Sequence, residues 1–303
     1  MRETKSEITP AAPVLTLAHI TRWQPVRYGG GRLAGLVFLL YFQTLKSLAL
    51  DWWELPDYGY GFLVPVVVGY VLWQERIRYR AIPLAPSGFG LPVMLAGVGL
   101  LIMGTLGADL FTPRFSLLIL LAGMVIYFCG GKMLRALAFP LGYLALMIPL
   151  PGIIHNQITF PMQLLASRIA ENLIALSGIP VFREGNLLQV PHYAVEVAQA
   201  CSGIRSLLSL VALGLAYSYF ATRLTWMRTA LVLFMLPIAI FTNALRIVVS
   251  CLLGYRFGPE WAEGFLHLFS GWLIFLVALI LLFLSHSVLS EIAGRRLRGA
   301  GNA

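Results

Sequence analysis

Residues 155–178 read HNQITFPMQLLASRIAENLIALSG, and whether this stretch crosses a membrane decides the orientation of every segment after it. Gln163, Ser167, Arg168, Glu171 and Asn172 gather on one helical face, opposite Leu165, Ile169, Leu173 and Leu176. That division predicts an amphipathic helix lying in the interface rather than a span. Working outward, apolar runs near 33–50, 59–75, 88–107, 115–131, 133–150, 202–221, 229–254 and 266–289 approach the roughly 20 residues that cross ~30 Å of hydrocarbon. The predicted fold class is an all-α polytopic membrane protein of about eight transmembrane helices. Residues 33–289 form its single transmembrane domain, and 1–32 and 290–303 are cytoplasmic tails.

Composition agrees. The 303 residues are 59% hydrophobic and 12% charged, with a mean hydropathy of +0.81, more apolar than one soluble core requires. The net charge of +9 is dispersed between the apolar runs, which assigns it to topology and to membrane lipids and leaves no nucleic-acid partner expected. The first 32 residues lack the apolar core and small-residue cleavage site of a signal peptide. With eight spans and both termini inside, fifteen of the 22 basic residues are cytoplasmic, Lys132, Arg135, Arg223 and Arg228 among them. A ninth span at 155–178 would put Arg223, Arg228 and the C-terminal arginines outside, against the positive-inside bias. Nine of the thirteen acidic residues then fall on the outer side.

The outer loop at 155–200 continues into a short polar excursion. Glu184-Gly185-Asn186 has turn chemistry between the apolar pieces Ile179–Phe182 and Leu187–Val190, and Tyr193–Val197 alternates as a strand does. A small extracytoplasmic hairpin cap is expected there.

This topology brings Cys201, Arg246 and His267 to one membrane face, at the starts or outward halves of the last three spans. Cys201 stands where a polar segment meets an apolar helix, whereas Cys129 and Cys251 lie within apolar runs and read as packing residues. A free thiol has a pKa of about 8.5, and a neighbouring imidazolium or guanidinium raises its thiolate fraction. Arg246 costs roughly 2.5–3.5 kcal/mol at membrane depth on insertion scales, so it needs a partner or a task. Stabilising an oxyanion is one such task; snorkelling, or pairing with Glu196, Glu260 or Glu263, is the structural alternative. Cys201 also reads as a small buried hydrophobe and His267 as an interfacial anchor. Arg205, one turn after Cys201, suits a thiolate or a substrate carboxylate, and Asn243, one turn before Arg246, suits orientation of the guanidinium or a helix–helix hydrogen bond. Three cysteines and five scattered histidines show no metal-ligand spacing, and no metal or cofactor is expected.

The segments Glu196-Val197-Ala198-Gln199-Ala200-Cys201-Ser202-Gly203-Ile204-Arg205, Asn243-Ala244-Leu245-Arg246-Ile247 and His267 with Gly271-Trp272 resemble the exosortase and archaeosortase family of membrane cysteine transpeptidases. Gly178–Gly185 is similar to that family's region ahead of its cysteine. Tyr58-Gly59-Tyr60-Gly61-Phe62 resembles its early motif, although a histidine often stands there where this chain has Tyr60, to which no catalytic role is assigned. The specific likeness covers roughly 178–272. It implies a bacterial inner-membrane cysteine peptidase or transpeptidase with Cys201 as nucleophile, Arg246 as oxyanion donor and His267 as acid and base. It implies exported substrate proteins that end in a Pro-Glu-Pro-like motif, a transmembrane helix and a basic tail, with transfer to an acceptor. The competing reading is a transporter or lipid-linked polysaccharide enzyme in which Arg246 and Arg205 bind an anion; a scaffold without catalysis is a third.

Overall fold

The computed structural model describes residues 24–191, 193–197, 203–258 and 265–300. The chain is predominantly helical, 82%, as a polypeptide in hydrocarbon must satisfy its backbone groups within each segment. Among the described residues, four helices are long and apolar enough to cross a bilayer: Gly31–Glu54, Phe111–Cys129, Thr225–Phe257 and Gly271–Arg295. A fifth is reached if Ala138–Met147 and Gly152–Leu176, bent by 86° at their junction, make one broken span. The other expected spans are shorter or interrupted: Gly90–Leu106 has 17 residues, and 59–75 is split between a 3₁₀ turn at Pro56–Phe62 and a 12-residue helix. Prolines and glycines are the cause, since Pro56, Gly59 and Gly61 punctuate the first turns of the latter run.

The chain divides into two compact units, Met1–Ser47 with Glu75–Ala138, and Leu48–Gln74 with Phe139–Ala303. In the first, α1 (Gln24–Glu54) contributes its N-terminal part, α2 (Leu63–Gln74) belongs to the other unit, and α3 (Arg76–Ala81) precedes an antiparallel pair, α4 (Gly90–Leu106) and α5 (Phe111–Cys129). Gly90, Gly97 and Gly104 recur at seven-residue spacing, two helical turns, and so form one stripe on α4. A side chain at Gly90 would strike Tyr127 of α5, one at Gly97 would lie 2.9 Å from the Leu120 nitrogen, and one at Gly104 2.5 Å from Pro113 Cδ. Small residues let the backbones approach, which replaces the hydrophobic drive that lipid removes.

This unit also buries a polar cluster that the apolar runs conceal. Arg114 is 3% exposed at the start of α5, with Nη2 donating to Ser47 Oγ at 3.4 Å. Tyr41 on α1 and Ser116 are fully buried and hydrogen-bonded at 2.9 Å, and Ser116 Oγ also donates to the Pro113 carbonyl at 2.7 Å. Polar pairs of this kind join helices across an apolar medium.

At the α4–α5 turn, Asp109 accepts from the Phe111 and Thr112 amides at 3.1 and 2.8 Å, satisfying donors the first turn of α5 leaves open. Hydrogen bonds from the Thr112 hydroxyl, then from the Thr112 and Phe111 amides, hold its carboxyl below the usual carboxylate range. A lowered folded-state pKa contributes stability that is present above the unfolded value and lost as pH falls through the folded one. Asp109 is exposed and its charge is screened by solvent, so Asp109→Asn is expected to cost only a few tenths of a kcal/mol near neutral pH. That difference should vanish in acid once the aspartate is protonated, as read from thermal unfolding in detergent at both pH values.

The second unit continues from α6 (Gly131–Ala136) of the first through α7 (Ala138–Leu144), α8 (Gly152–Leu176), a sheet, α9 (Gly203–Ala221), α10 (Thr225–Phe257) and α11 (Phe265–Ala300). Where a hairpin is expected there is a three-stranded sheet: β1 (Phe182–Glu184), later than the expected Ile179–Phe182 piece, β2 (Leu187–Val190) and β3 (Tyr193–Glu196) are antiparallel neighbours. Gly185 opens the two-residue β1–β2 turn at φ +63°, a left-handed conformation that glycine adopts at no steric cost. The pleat then sorts the strands: Leu188, Val190, Tyr193 and Val195 are buried, while Gln189 and Ala194 are exposed.

The amphipathic helix is present as α8, but its inward face is not the leucine face. Ala166, Ala170 and Ile174 are fully buried, Thr159 and Ser167 are buried with them, and Leu165 and Leu176 are 44% and 84% exposed. Small side chains bring α8 close to α10, while Ile169 and Leu173 pack at the margin of the same cluster and Leu165 and Leu176 stay outside it. Arg183 fastens the cap to this helix through Nε to Glu171 Oε2 at 2.6 Å.

Candidate functional site

Helix α10 is the axis of the second unit, because its two faces serve different neighbours. Ala244, Ile247, Val248 and Cys251 recur at helical spacing and pack with Ala166, Ala170 and Ile174 of α8 and with the buried face of the sheet. Tyr193 of β3 lies over Gly254, where any side chain would collide with its ring. The opposite face carries Leu231, Met235, Ile238 and Ala239, which pack with Leu207 and Leu210 of α9 and Ala278, Leu282 and Leu289 of α11.

Arg246 continues the second face. It follows Ala239 by seven residues and Thr242 by four, so it projects on the side of α9 and α11 rather than of the cap. Thr242 turns its own hydroxyl back onto the Ile238 and Ala239 carbonyls at 2.8 and 3.2 Å. The guanidinium reaches α11 at Gly271: a Cβ there would sit 3.2 Å from Nη2, 3.3 Å from Cζ and 3.8 Å from Nε. Gly271 is one turn beyond His267, and residues four apart share a helix face. The backbone thus brings the Arg246 head to the α11 face that carries position 267.

The other candidates divide. Asn243 is 8% exposed within α10, one turn before Arg246. Glu196 closes β3 opposite Leu187 and is partly buried. The alternation of its strand turns it away from the face packed on α10, and the cap itself lies across α10 from the Arg246 side. Arg205 and His267 lie on the backbones of α9 and α11. Cys201 lies outside the described residues; in the chain it falls between Val197, fully buried and hydrogen-bonded through its amide to the Asn186 carbonyl at 2.9 Å, and the start of α9.

The elements flanking α9 are set by side-chain hydrogen bonds. Tyr143 on α7 donates to the Ala212 carbonyl at 2.8 Å, and Phe139 stacks on Tyr219 with centroids 3.9 Å apart. Helix α7 therefore runs antiparallel to α9 and carries Ala145–Met147 toward the N-terminal end of α9. There Trp52 Nε1 donates to the Met147 carbonyl at 2.8 Å and Tyr60 Oη to the Leu146 carbonyl at 3.0 Å. The 3₁₀ turn that bears the Tyr58–Phe62 motif packs on α9 itself. Tyr60 is thus an anchoring hydrogen-bond donor within this wall.

Cys251 is 1% exposed in the cap-side core, and Cys129 packs beside Tyr79, Leu84 and Met133. His286 pairs with the Tyr217 hydroxyl at 2.6 Å, and His155 with Asn156 at 3.3 Å. Among the described residues, no three His, Cys, Asp or Glu side chains are grouped as metal ligands. Among the described residues Arg114 is a buried cation that its place in the chain conceals: it stands one residue before the apolar run at 115–131, where a loop is expected.

Together the helices define a multi-pass, predominantly helical membrane protein. The family model for transmembrane exosortases matches residues 52–284, more than three-quarters of the chain, and the chain belongs to that family. Comparisons with curated proteins and with solved structures each gave no match.

Proposed function

We propose that the protein is a membrane-embedded cysteine peptidase or transpeptidase that processes the C-terminal sorting signal of exported proteins, on the extracytoplasmic face of a bacterial inner membrane. The observation that supports this reading is the placement of Arg246: in a chain whose residues 52–284 match the family model, its head rests on α11 at Gly271, four residues after position 267.

In this reading the Cys201 thiolate attacks the carbonyl carbon of a peptide bond near the substrate's Pro-Glu-Pro-like motif. The carbonyl oxygen takes the negative charge, and Arg246 stabilises it through N–H donors whose charge is permanent. As the intermediate collapses the C–N bond breaks, the amine leaves with a proton from His267, and a thioester on Cys201 remains. An acceptor nucleophile then attacks the thioester, gives its proton to His267 and departs with the exported protein. In this reading both termini lie inside, and the chemistry takes place on the extracytoplasmic face of the membrane. Arg205 and Asn243 bind substrate or orient the guanidinium, and Glu196 has a supporting role from the cap. Tails 1–32 and 290–303 flank a single catalytic membrane domain.

The test is a trapped intermediate. Membranes containing the protein are incubated with a reporter ending in a Pro-Glu-Pro segment, one apolar helix and an arginine-rich tail. The expected product is a hydroxylamine-sensitive adduct mapped by mass spectrometry to Cys201. Cleavage with no such adduct, or an adduct on Cys129 or Cys251, would refute the nucleophile. Reporter left intact while an anionic substrate is translocated would favour the transporter reading.

A further inference from the structure

We infer that Gly271 is a positioning residue for the reaction: the absence of a side chain there forms the seat on which the flat face of the Arg246 guanidinium lies. This rests on the proposed function and adds a residue to it.

The geometry carries the inference. The position a Cβ would occupy at 271 is nearly equidistant from Nη2 and Cζ, at 3.2 and 3.3 Å, with Nε at 3.8 Å. An approach along the donor edge would leave Cζ much farther away than the nearest nitrogen. The near-equality therefore puts the missing carbon over the plane, stacked on its face. Contact with α11 thus uses the π-face of the guanidinium and not its N–H edge. A planar fork held by its face is fixed in orientation while its donors stay directed in the plane, as recognition of an oxyanion or carboxylate requires.

Helix energetics sharpen the point. Gly271 lies inside the long helix α11, where glycine is disfavoured relative to alanine. Alanine at 271 would stabilise the isolated helix, so a loss on substitution must come from what rests on that position. A methyl at 3.2–3.3 Å would displace the guanidinium by tenths of an ångström, and displacements of about 1 Å at a reacting centre cost about a hundredfold.

The experiment measures the single-turnover rate of reporter adduct formation in the detergent-purified full chain for the parent, Gly271→Ala, Arg246→Lys and the double variant, with Cys201→Ala as blank. Gly271→Ala is expected to lower the saturating single-turnover rate about tenfold, with the half-saturating reporter concentration within twofold and an unchanged or raised melting temperature. Gly271→Val should lower that rate further. The lysine ammonium has no flat face to seat, so the double variant should fall within twofold of Arg246→Lys alone. Three results would overturn the inference while Cys201→Ala stays inactive. They are a Gly271→Ala rate within twofold of the parent, a tenfold loss that multiplies onto that of Arg246→Lys, and a loss that tracks a lowered melting temperature in both backgrounds. Turnover in Cys201→Ala would instead bring down the proposed function itself.

Discussion

Cys201→Ala is expected to abolish processing of the reporter, with a loss on the order of 10⁴-fold or more, since removing a covalent nucleophile leaves only binding and electrostatic assistance. The effect should fall on chemistry. Membrane insertion and melting temperature should match the parent, and uncleaved reporter should accumulate on the variant as a non-covalent complex. Cys129→Ser and Cys251→Ser separate this from a general need for thiols. Both should keep kcat within a few-fold, and Cys251→Ser should lower the melting temperature, because a hydroxyl replaces a thiol 1% exposed in the cap-side core and needs a hydrogen bond there. Parent-level turnover in Cys201→Ala would remove the nucleophile and with it the peptidase.

Arg246→Lys is the second large effect, a decrease in kcat of roughly 10²–10³-fold with KM little changed, the loss seen when one oxyanion donor is removed. Lysine keeps the charge and loses the plane, so the substitution tests geometry rather than electrostatics. A residue that only snorkels, or that only neutralises a carboxylate, tolerates lysine; unchanged turnover would return Arg246 to that structural role. The position of Arg246 gives the contrast its force. It emerges on the α9 and α11 side of α10, while the cap and Glu196 sit across the helix, so Glu196→Gln should be much milder than Arg246→Lys.

Much of this architecture is legible in local chemistry. Glu184-Gly185-Asn186 announces a turn because few residues accept a left-handed backbone, and Leu188, Val190, Tyr193 and Val195 announce strands because the pleat has a period of two. Apolar runs announce helices because hydrocarbon leaves no other partner for the backbone. Less legible were the lengths of those helices, since glycine and proline interrupt 59–75 and 133–150 without lowering their hydropathy. The inward face of α8 was only half legible: of Leu165, Ile169, Leu173 and Leu176, which hydropathy selects, Ile169 and Leu173 reach the core, whereas its fully buried positions are Ala166, Ala170 and Ile174. In a membrane the most apolar face turns outward to lipid, and the tightest face turns inward.

The sequence by itself determined that the chain is a polytopic helical membrane protein of this family. Those properties follow from residue-by-residue transfer energies and from short motifs read along the chain. Only the tertiary structure decided that Arg246 projects toward α11 and not toward the cap, that Gly271 is its seat, and that Arg114 is buried. Each of these depends on which side of one helix meets which neighbour, and that is set by the packing of side chains far apart in the chain.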